Sequence, residues 1–159
     1  MSVPTLYLDT SVIGGCFDGR WKEPTRELFR QGGLGLYHLA ASVVTVRELQ
    51  GAPLEVQQFF ATNFLHPEQI HELTAEAETL AQAYVAAGVV TGKYVDDARH
   101  VAIATVHGIA VIVSWNFRHL ANLYREAGFN SVNLLQNYSQ VRIVSPLELI
   151  YESDQDQGY

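Results

Sequence analysis

Asp9 is the first residue in the sequence whose type and position suit metal chemistry. It directly follows the apolar segment Leu6-Tyr7-Leu8, which is typical of a short buried strand, so its carboxylate is expected at the edge of a sheet. A carboxylate is costly to bury unless something compensates its charge. Aspartate is also a favoured helix N-cap. Thr10 and Ser11 could take that role instead, which would leave Asp9 free for a metal ion.

Three further acids, Glu48, Asp96 and Asp97, lie in segments with helical patterning. Glu48 lies in a segment with apolar residues at Val46 and Leu49, although a lone glutamate is more often an exposed surface residue. Asp96 and Asp97 fall in the first turn of a helix, where the helix dipole favours acids. Adjacent helical residues point about 100° apart. Asp97 is therefore expected to face inward, while Asp96 can pair with Arg99 or His100.

Asn116 follows the apolar run 109–113 much as Asp9 follows its own strand. It can supply a carbonyl oxygen but no charge, and it can alternatively cap the next helix. Oxygen donors of this kind suit Mg²⁺ or Mn²⁺ rather than zinc. No pair of the six histidines has zinc-like sequence spacing. Only His100, three residues after Asp97, is placed near the site, and most of the others are interpreted as surface or structural residues.

The elements that must position these residues alternate along the chain. Strands are predicted at 6–8, 35–41, 69–73, 109–113 and 141–144. Helices are predicted at 24–31, from the N-cap Ser42 to Leu49, at 53–63, from the N-cap Thr74 to Gly88, at 94–107 and at 116–127 with Gly128 as its stop, and a capping box follows at 145–148. The alternation predicts an α/β fold with a central, mostly parallel sheet and helices on both faces. Chemistry in such folds lies at the carboxyl ends of the strands.

The bulk properties are those of one small domain. The chain has 159 residues, 48% of them hydrophobic, and we expect a domain over 1–152 with a polar tail at 153–159. Its net charge of −7 argues against loose, charge-driven binding of nucleic acid, but a metal-dependent nuclease must itself concentrate carboxylates. The single cysteine, Cys16, and the lack of a signal-like or membrane-spanning segment favour a cytoplasmic location.

Four segments together resemble the PIN domains, and in particular the VapC-like branch of bacterial toxins. The segments are 6–13 (LYLDTSVI), 46–49 (VREL), 97–104 (DARHVAIA) and 113–117 (VSWNF). Asp9, Glu48 and Asp97 match the three principal acids of that family. The family often has a fourth acid near Asn116, where this chain carries an amide.

The resemblance implies a single PIN-like domain that acts as a metal-dependent endoribonuclease, the toxin of a type II toxin–antitoxin pair. It would hydrolyse RNA phosphodiester bonds with Mg²⁺ or Mn²⁺, and a small antitoxin and a homodimer are implied as partners. The implied catalytic and metal-binding residues are Asp9, Glu48 and Asp97, the supporting residues Ser11, Asp96, Asn116 and His100, and the RNA-binding residues Arg99 and Arg118.

Other functions stay open on the sequence alone. A catalytically weak or inactive PIN-like module that binds RNA or a protein is motivated by Asn116. A phosphoacceptor receiver domain is also an α/β fold with an acid at a strand end, but it requires paired early acids and a late strand-end lysine. Here only Asp9 is early, and Lys93 precedes a helix. A dinucleotide-binding domain is disfavoured because no GxGxxG motif follows the first strand.

Overall fold

Apolar strands and helices alternate through residues 2–150, the part of the chain that the computed structural model describes. Within it the strands are β1 (Thr5–Leu8), β2 (His38–Ser42), β3 (Ile70–His71), β4 (Val111–Val113) and β5 (Arg142–Val144). The helices are α1 (Thr10–Gly15), α2 (Lys22–Gly33), α3 (Val43–Leu49), α4 (Leu54–Asn63), α5 (Ala75–Ala86), α6 (Val95–Val106) and α7 (Leu123–Leu135). Short 3₁₀ turns lie at Pro67–Gln69, Gly92–Tyr94 and Pro146–Glu148. The predicted boundary between domain and tail, at 152–153, lies outside the described residues.

The five strands form one sheet in the order β3-β2-β1-β4-β5, and all four pairings are parallel. The predicted α/β class is confirmed. The chain extends the sheet to one side of β1 through β2 and β3, and then to the other side through β4 and β5. The carboxyl ends of β1 and β4 therefore flank the point where the strand order reverses, which is where α/β folds place their sites. Because Leu8 is paired with Val113, the next residues, Asp9 and Ser114, lie side by side.

Helices cover both faces of the sheet, as the sequence predicts. Successive strand residues point to opposite faces, so Tyr7 packs with α5 and α6 while Leu6 and Leu8 pack with α1 and α2. All three side chains are at most 1% exposed. No helix in residues 2–150 has the length and apolar character needed to cross a membrane.

The predicted helix at 116–127 is wrong. The chain makes a turn after β4, and α7 begins only at Leu123, with Asn122 as its N-cap accepting a hydrogen bond from the Arg125 backbone N–H at 2.8 Å. Gly128 is not a helix stop but lies inside α7, where an added Cβ would come within 3.1 Å of Val89 Cγ1. This close approach explains the glycine, and only the packing of two distant segments creates it. The predicted N-caps Ser42 and Thr74 are confirmed.

Two neighbouring glycines of α1 provide a test of the packing behind the site. A Cβ on Gly15 would lie 2.7 Å from Trp115 Nε1 and 2.8 Å from Thr25 Oγ1, whereas a Cβ on Gly14 meets no atom within 4 Å. We expect Gly15→Ala to lower the free energy of unfolding by about 1–3 kcal/mol through overpacking. Gly14→Ala should leave it unchanged or raise it by up to about 1 kcal/mol. Urea denaturation measures both, and equal effects would contradict the described packing of Trp115.

Candidate active site

Asp9 lies at the carboxyl end of β1 with its side chain almost completely buried, 4% exposed. Its two oxygens accept hydrogen bonds from Ser11 Oγ at 2.6 Å and Ser114 Oγ at 2.5 Å. Burial raises the pKa of Asp9, and this outweighs the lowering by His100 and the two serines. Asp9 is itself the N-cap of α1, so the expectation that Thr10 or Ser11 would cap this helix is wrong. The reason is the backbone, which is extended at Asp9 and already helical at the next residue.

Glu48, near the end of α3, faces the loop after β1. Its Oε1 accepts hydrogen bonds from Thr10 Oγ1 at 2.8 Å and from His100 Nε2 at 2.6 Å, and its side chain is 32% exposed. Burial raises the pKa of Glu48, but the hydrogen bond and charge of His100 act against it, and the net shift is downward. The carboxylate of Glu48 is therefore fixed by two hydrogen bonds to Oε1, and Glu48 is not a free surface glutamate.

His100 is buried and links Glu48 to the core. Its Nδ1 lies 2.6 Å from the hydroxyl of Tyr7, which donates to Ser42 Oγ at 2.8 Å. Because Tyr7 gives its single proton to Ser42, Nδ1 of His100 must donate to the phenol oxygen. Because a carboxylate only accepts, Nε2 must donate to Glu48. His100 is thus an imidazolium: burial lowers its pKa, but Glu48 and the nearby aspartates outweigh it and the net pKa is raised.

Of the three acids, Asp97 is the one whose negative charge is least offset by neighbouring groups. It lies in the first turn of α6, and burial, followed by the charge of Asp9, raises its pKa to about 6. Glu48 and Asp96 raise the pKa further and His100 lowers it. In residues 2–150 no hydrogen-bond donor reaches this carboxylate. The structure thus brings Asp9, Glu48 and Asp97 close enough to interact, with charge left over at Asp97.

Asp96 turns away from Asp97 into a network of ion pairs. Its Oδ1 accepts from Arg47 at 2.6 Å and from Arg99 at 2.9 Å, which confirms the predicted pairing with Arg99. The guanidinium of Arg99 also contacts both oxygens of Glu78 at 2.8 Å. Burial raises the pKa of Asp96, but the two guanidinium groups prevail and lower it. Arg99 is therefore already occupied by carboxylates, and the Asp96 carboxylate is held by two guanidinium groups.

Asn116 lies in the turn after β4, two residues beyond Ser114. Its Oδ1 accepts a hydrogen bond from the His119 backbone N–H at 2.9 Å, and its own N–H donates to Ser114 Oγ at 2.9 Å. The amide oxygen thus stabilises the turn and does not point freely at the acids. Arg118 is exposed in the same turn.

Sequence reasoning missed three residues that hold the acids, namely Ser114, Thr10 and Tyr7. Ser114 follows β4 directly, as Asp9 follows β1, so its strand-end position was a usable signal. Thr10 hydrogen-bonds to Glu48, 38 residues away in the sequence. Tyr7 hydrogen-bonds to His100, 93 residues away. No pattern in the sequence links such distant positions.

The donor set fits a hard cation such as Mg²⁺ or Mn²⁺ in its chemistry. It consists of carboxylate oxygens, and a bound cation would relieve the excess charge that raises the pKa of Asp97. The ligands are not already arranged around one point: among residues 2–150, no three His, Cys, Asp or Glu side chains form a metal-binding group.

Solved structures of the same fold exist, although no family model matches the sequence and no curated protein matches it significantly. FitAB bound to an IR36 DNA fragment is similar with a TM-score of 0.56 and 14% identity, over 93% of this chain and 99% of that chain. VapBC2 from Rickettsia felis, bound to a promoter DNA fragment, is similar with a TM-score of 0.50 and 12% identity. FitAcB from Neisseria gonorrhoeae has a TM-score of 0.50 and 14% identity, and both matches cover 89% of this chain and 98% of the other.

The toxin component of these complexes has a PIN domain. The described chain therefore has the PIN-domain fold, and the resemblance drawn from its sequence is confirmed at the level of fold. At sequence identities of 12–14%, the comparison shows a shared fold and nothing more.

The raised pKa of Asp97 gives a test in metal-free protein. Its ordinary value is 3.8 and its value in the fold is about 6, so the folded state holds the proton more tightly than the unfolded state. By linkage, stability should fall as the pH rises from 4 through 6. Asp97→Asn should therefore be more stable than the parent protein at pH 7.5, by roughly 1–2 kcal/mol after allowing for partial exposure, and equally stable at pH 4.

Asp96→Asn is the matched control, because the lowered pKa of Asp96 predicts the opposite sign. It should lose stability at pH 7.5 and lose less below pH 4. Denaturation with a chelator present measures both series. If the free energy of unfolding of Asp97→Asn equals that of the parent protein across this pH range, the described crowding of carboxylates is contradicted.

Proposed function

We propose that this protein is a metal-dependent endoribonuclease and the toxin of a type II toxin–antitoxin pair. The observation that carries the proposal is the gathering of Asp9, Glu48 and Asp97 at the carboxyl ends of the strands, beside the point where strand order reverses. Crowded, partly buried carboxylates reduce stability, and perturbed acids of this kind cluster at functional sites. The similarity of the fold to VapBC2 and FitAB supports the same class of protein.

In this proposal Asp9, Glu48 and Asp97 hold the Mg²⁺ or Mn²⁺ ion. Such an ion, when bound, neutralises the scissile phosphate, lowers the pKa of a water molecule and stabilises the leaving oxygen. Ser11 and Ser114 fix the orientation of the Asp9 carboxylate. Thr10 and His100 hold Oε1 of Glu48 and leave its other oxygen available. Asp97, which has no donor of its own in the described chain, is the acid whose charge a cation would satisfy most directly.

RNA and protein partners follow from the same proposal. Arg118 is exposed in the turn after β4 and is the better candidate for contact with the RNA backbone, since Arg99 is paired with Glu78 and Asp96. The similar solved structures are toxin–antitoxin complexes, which supports a small antitoxin as a partner. A homodimer and a cytoplasmic location complete the proposal, the latter because the only cysteine, Cys16, is free and buried.

A non-cutting PIN-like module that binds RNA or a protein is the second candidate. Two observations favour it: the Asn116 oxygen is occupied within its turn, and the described acids are not prearranged around one point. The two candidates differ in one measurable property, which is cleavage of RNA in the presence of Mn²⁺.

Asp9→Asn separates the two candidates. The change keeps the shape of the side chain but removes its charge and replaces one accepting oxygen by an amide NH2 group. We expect it to lower Mn²⁺-dependent cleavage of a structured RNA by on the order of 100-fold or more, with an unchanged circular dichroism spectrum. Glu68→Gln, an exposed acid in the 3₁₀ turn Pro67–Gln69 beside the first residues of β1 and β2, is the control and should cleave like the parent protein. A parent protein that binds RNA but never cleaves it, with any divalent ion, would favour the second candidate.

Asn116→Asp tests whether this position limits metal binding. A carboxylate can still accept the hydrogen bond from His119, so the turn should persist. The added charge should tighten Mn²⁺ binding and lower the stability of the metal-free protein, because four acids would then repel one another. Asn137→Asp adds the same charge in a different, exposed turn. It should neither tighten Mn²⁺ binding nor lower the stability of the metal-free protein. Calorimetric titration measures the Mn²⁺ affinity of each variant. Equal affinities for the two variants would show that position 116 contributes no ligand and that the site consists of three acids.

A further inference from the structure

Four of the six histidines line one pocket, although they are scattered along the sequence. The pocket has a volume of about 500 Å³ and is bounded by the first residues of β1 and β2, by the segment around β3 and by the end of α6. Its histidines are His38, His66, His71 and His107, and Glu68 and Gln69 also line it. The interpretation of most histidines as unrelated surface or structural residues is therefore incomplete, because the fold collects them.

This pocket is separate from the acid cluster. Asp97 lies in the first turn of α6, while His107 caps the other end of the same helix. Ten residues of α-helix span about 15 Å. Among the described residues, the only histidine ion pair is that of His100 with Glu48, so pairing with an acid does not account for the four pocket histidines. Three of them, His38, His66 and His107, are exposed and add nothing to the core.

His71 and His107 form a close pair within the pocket. Their ring centroids are 4.7 Å apart and their planes are tilted by 44°. His107 Nε2 lies 3.1 Å from the carbonyl oxygen of Glu72. Because a carbonyl only accepts, Nε2 carries the hydrogen, and in the neutral ring Nδ1 keeps its lone pair. Burial and the neighbouring His107 lower the pKa of His71, so it is neutral at neutral pH. Neutral imidazoles are the form that binds metals.

We propose that His71 and His107 bind a divalent ion of the imidazole-preferring class, with Zn²⁺ as its representative. This ion differs in class from the Mg²⁺ or Mn²⁺ expected at the carboxylates, because nitrogen ligands suit zinc, nickel and copper. No three ligands are prearranged in residues 2–150. The site is therefore a two-imidazole site completed by water, and His38, His66 or Glu68 can join it by rotation of a side chain.

Calorimetric titration of the full chain with Zn²⁺, in excess Mg²⁺ to compete at the carboxylates, tests the proposal. We expect one zinc ion per chain, and His71→Ala and His107→Ala should each weaken its binding at least tenfold. The control variants are Asp97→Asn, at the acid cluster, and His119→Ala, whose ring stacks on Tyr94 outside the pocket. Both should bind zinc like the parent protein.

Histidine side-chain NMR of the unmodified protein provides a measurement that needs no variant. Zn²⁺ should shift the imidazole signals of His71 and His107 and leave that of His119 unchanged. Absence of zinc binding, or zinc binding that is lost in Asp97→Asn but kept in both histidine variants, would overturn the proposal. Neither result depends on RNA cleavage, so this site and the nuclease proposal fail or succeed separately.

Discussion

The burial of carboxylates at the carboxyl ends of β1 and β4 is the constraint on which the rest of the site depends. A buried carboxylate needs hydrogen bonds or an opposite charge to offset its loss of hydration. Asp9 accepts hydrogen bonds from two serine hydroxyls, one after β1 and one after β4. Glu48 accepts hydrogen bonds from a threonine hydroxyl and from the imidazolium of His100. Asp97 has only the charge of His100 against three neighbouring acids. The fold therefore keeps one carboxylate at a cost in stability, which is common where function opposes stability.

His100 connects this charged edge to the apolar interior. Its ring lies between Glu48 and Tyr7, and Tyr7 passes the chain of hydrogen bonds to Ser42, the N-cap of α3. The helix that carries Glu48 is thus tied at its first residue and near its last to the same buried network. Such a network orients Glu48 and places the ring of His100, whose pKa is raised, against its carboxylate. Because the network joins residues of α3 and α6, it can also specify how these two helices pack.

Two basic side chains, Arg47 and Arg99, are paired with acids other than Asp9, Glu48 and Asp97. Arg47 and Arg99 face each other across Asp96 and Glu78, on the outer side of α6. Their pairing with these outer acids keeps two guanidinium groups away from Asp9 and Asp97. Two adjacent aspartates therefore have opposite electrostatic surroundings: Asp96 has a lowered pKa and Asp97 a raised one. The separation of about 100° between neighbouring helical residues is enough to produce this difference.

Local signals in the sequence determined most of the scaffold. The apolar runs marked β1 and β4, the caps at Ser42 and Thr74 marked two helices, and the alternation of elements implied the parallel sheet, because hydrophobic period and capping chemistry act over a few residues. The strand-end position of Asp9 and the helical positions of Glu48 and Asp97 could likewise be read in advance. The start of α7 could not, because the chain makes a turn after β4 and the helix begins only after its N-cap, Asn122. Nor could its continuation past Gly128, which is a glycine because of its contact with Val89. Only the tertiary structure decided which residues satisfy the acids: strand register puts Ser114 beside Asp9, and packing of α3 on α6 puts His100 against Glu48. The same is true of the four-histidine pocket, since contacts between residues far apart in the chain leave no periodic trace in its sequence.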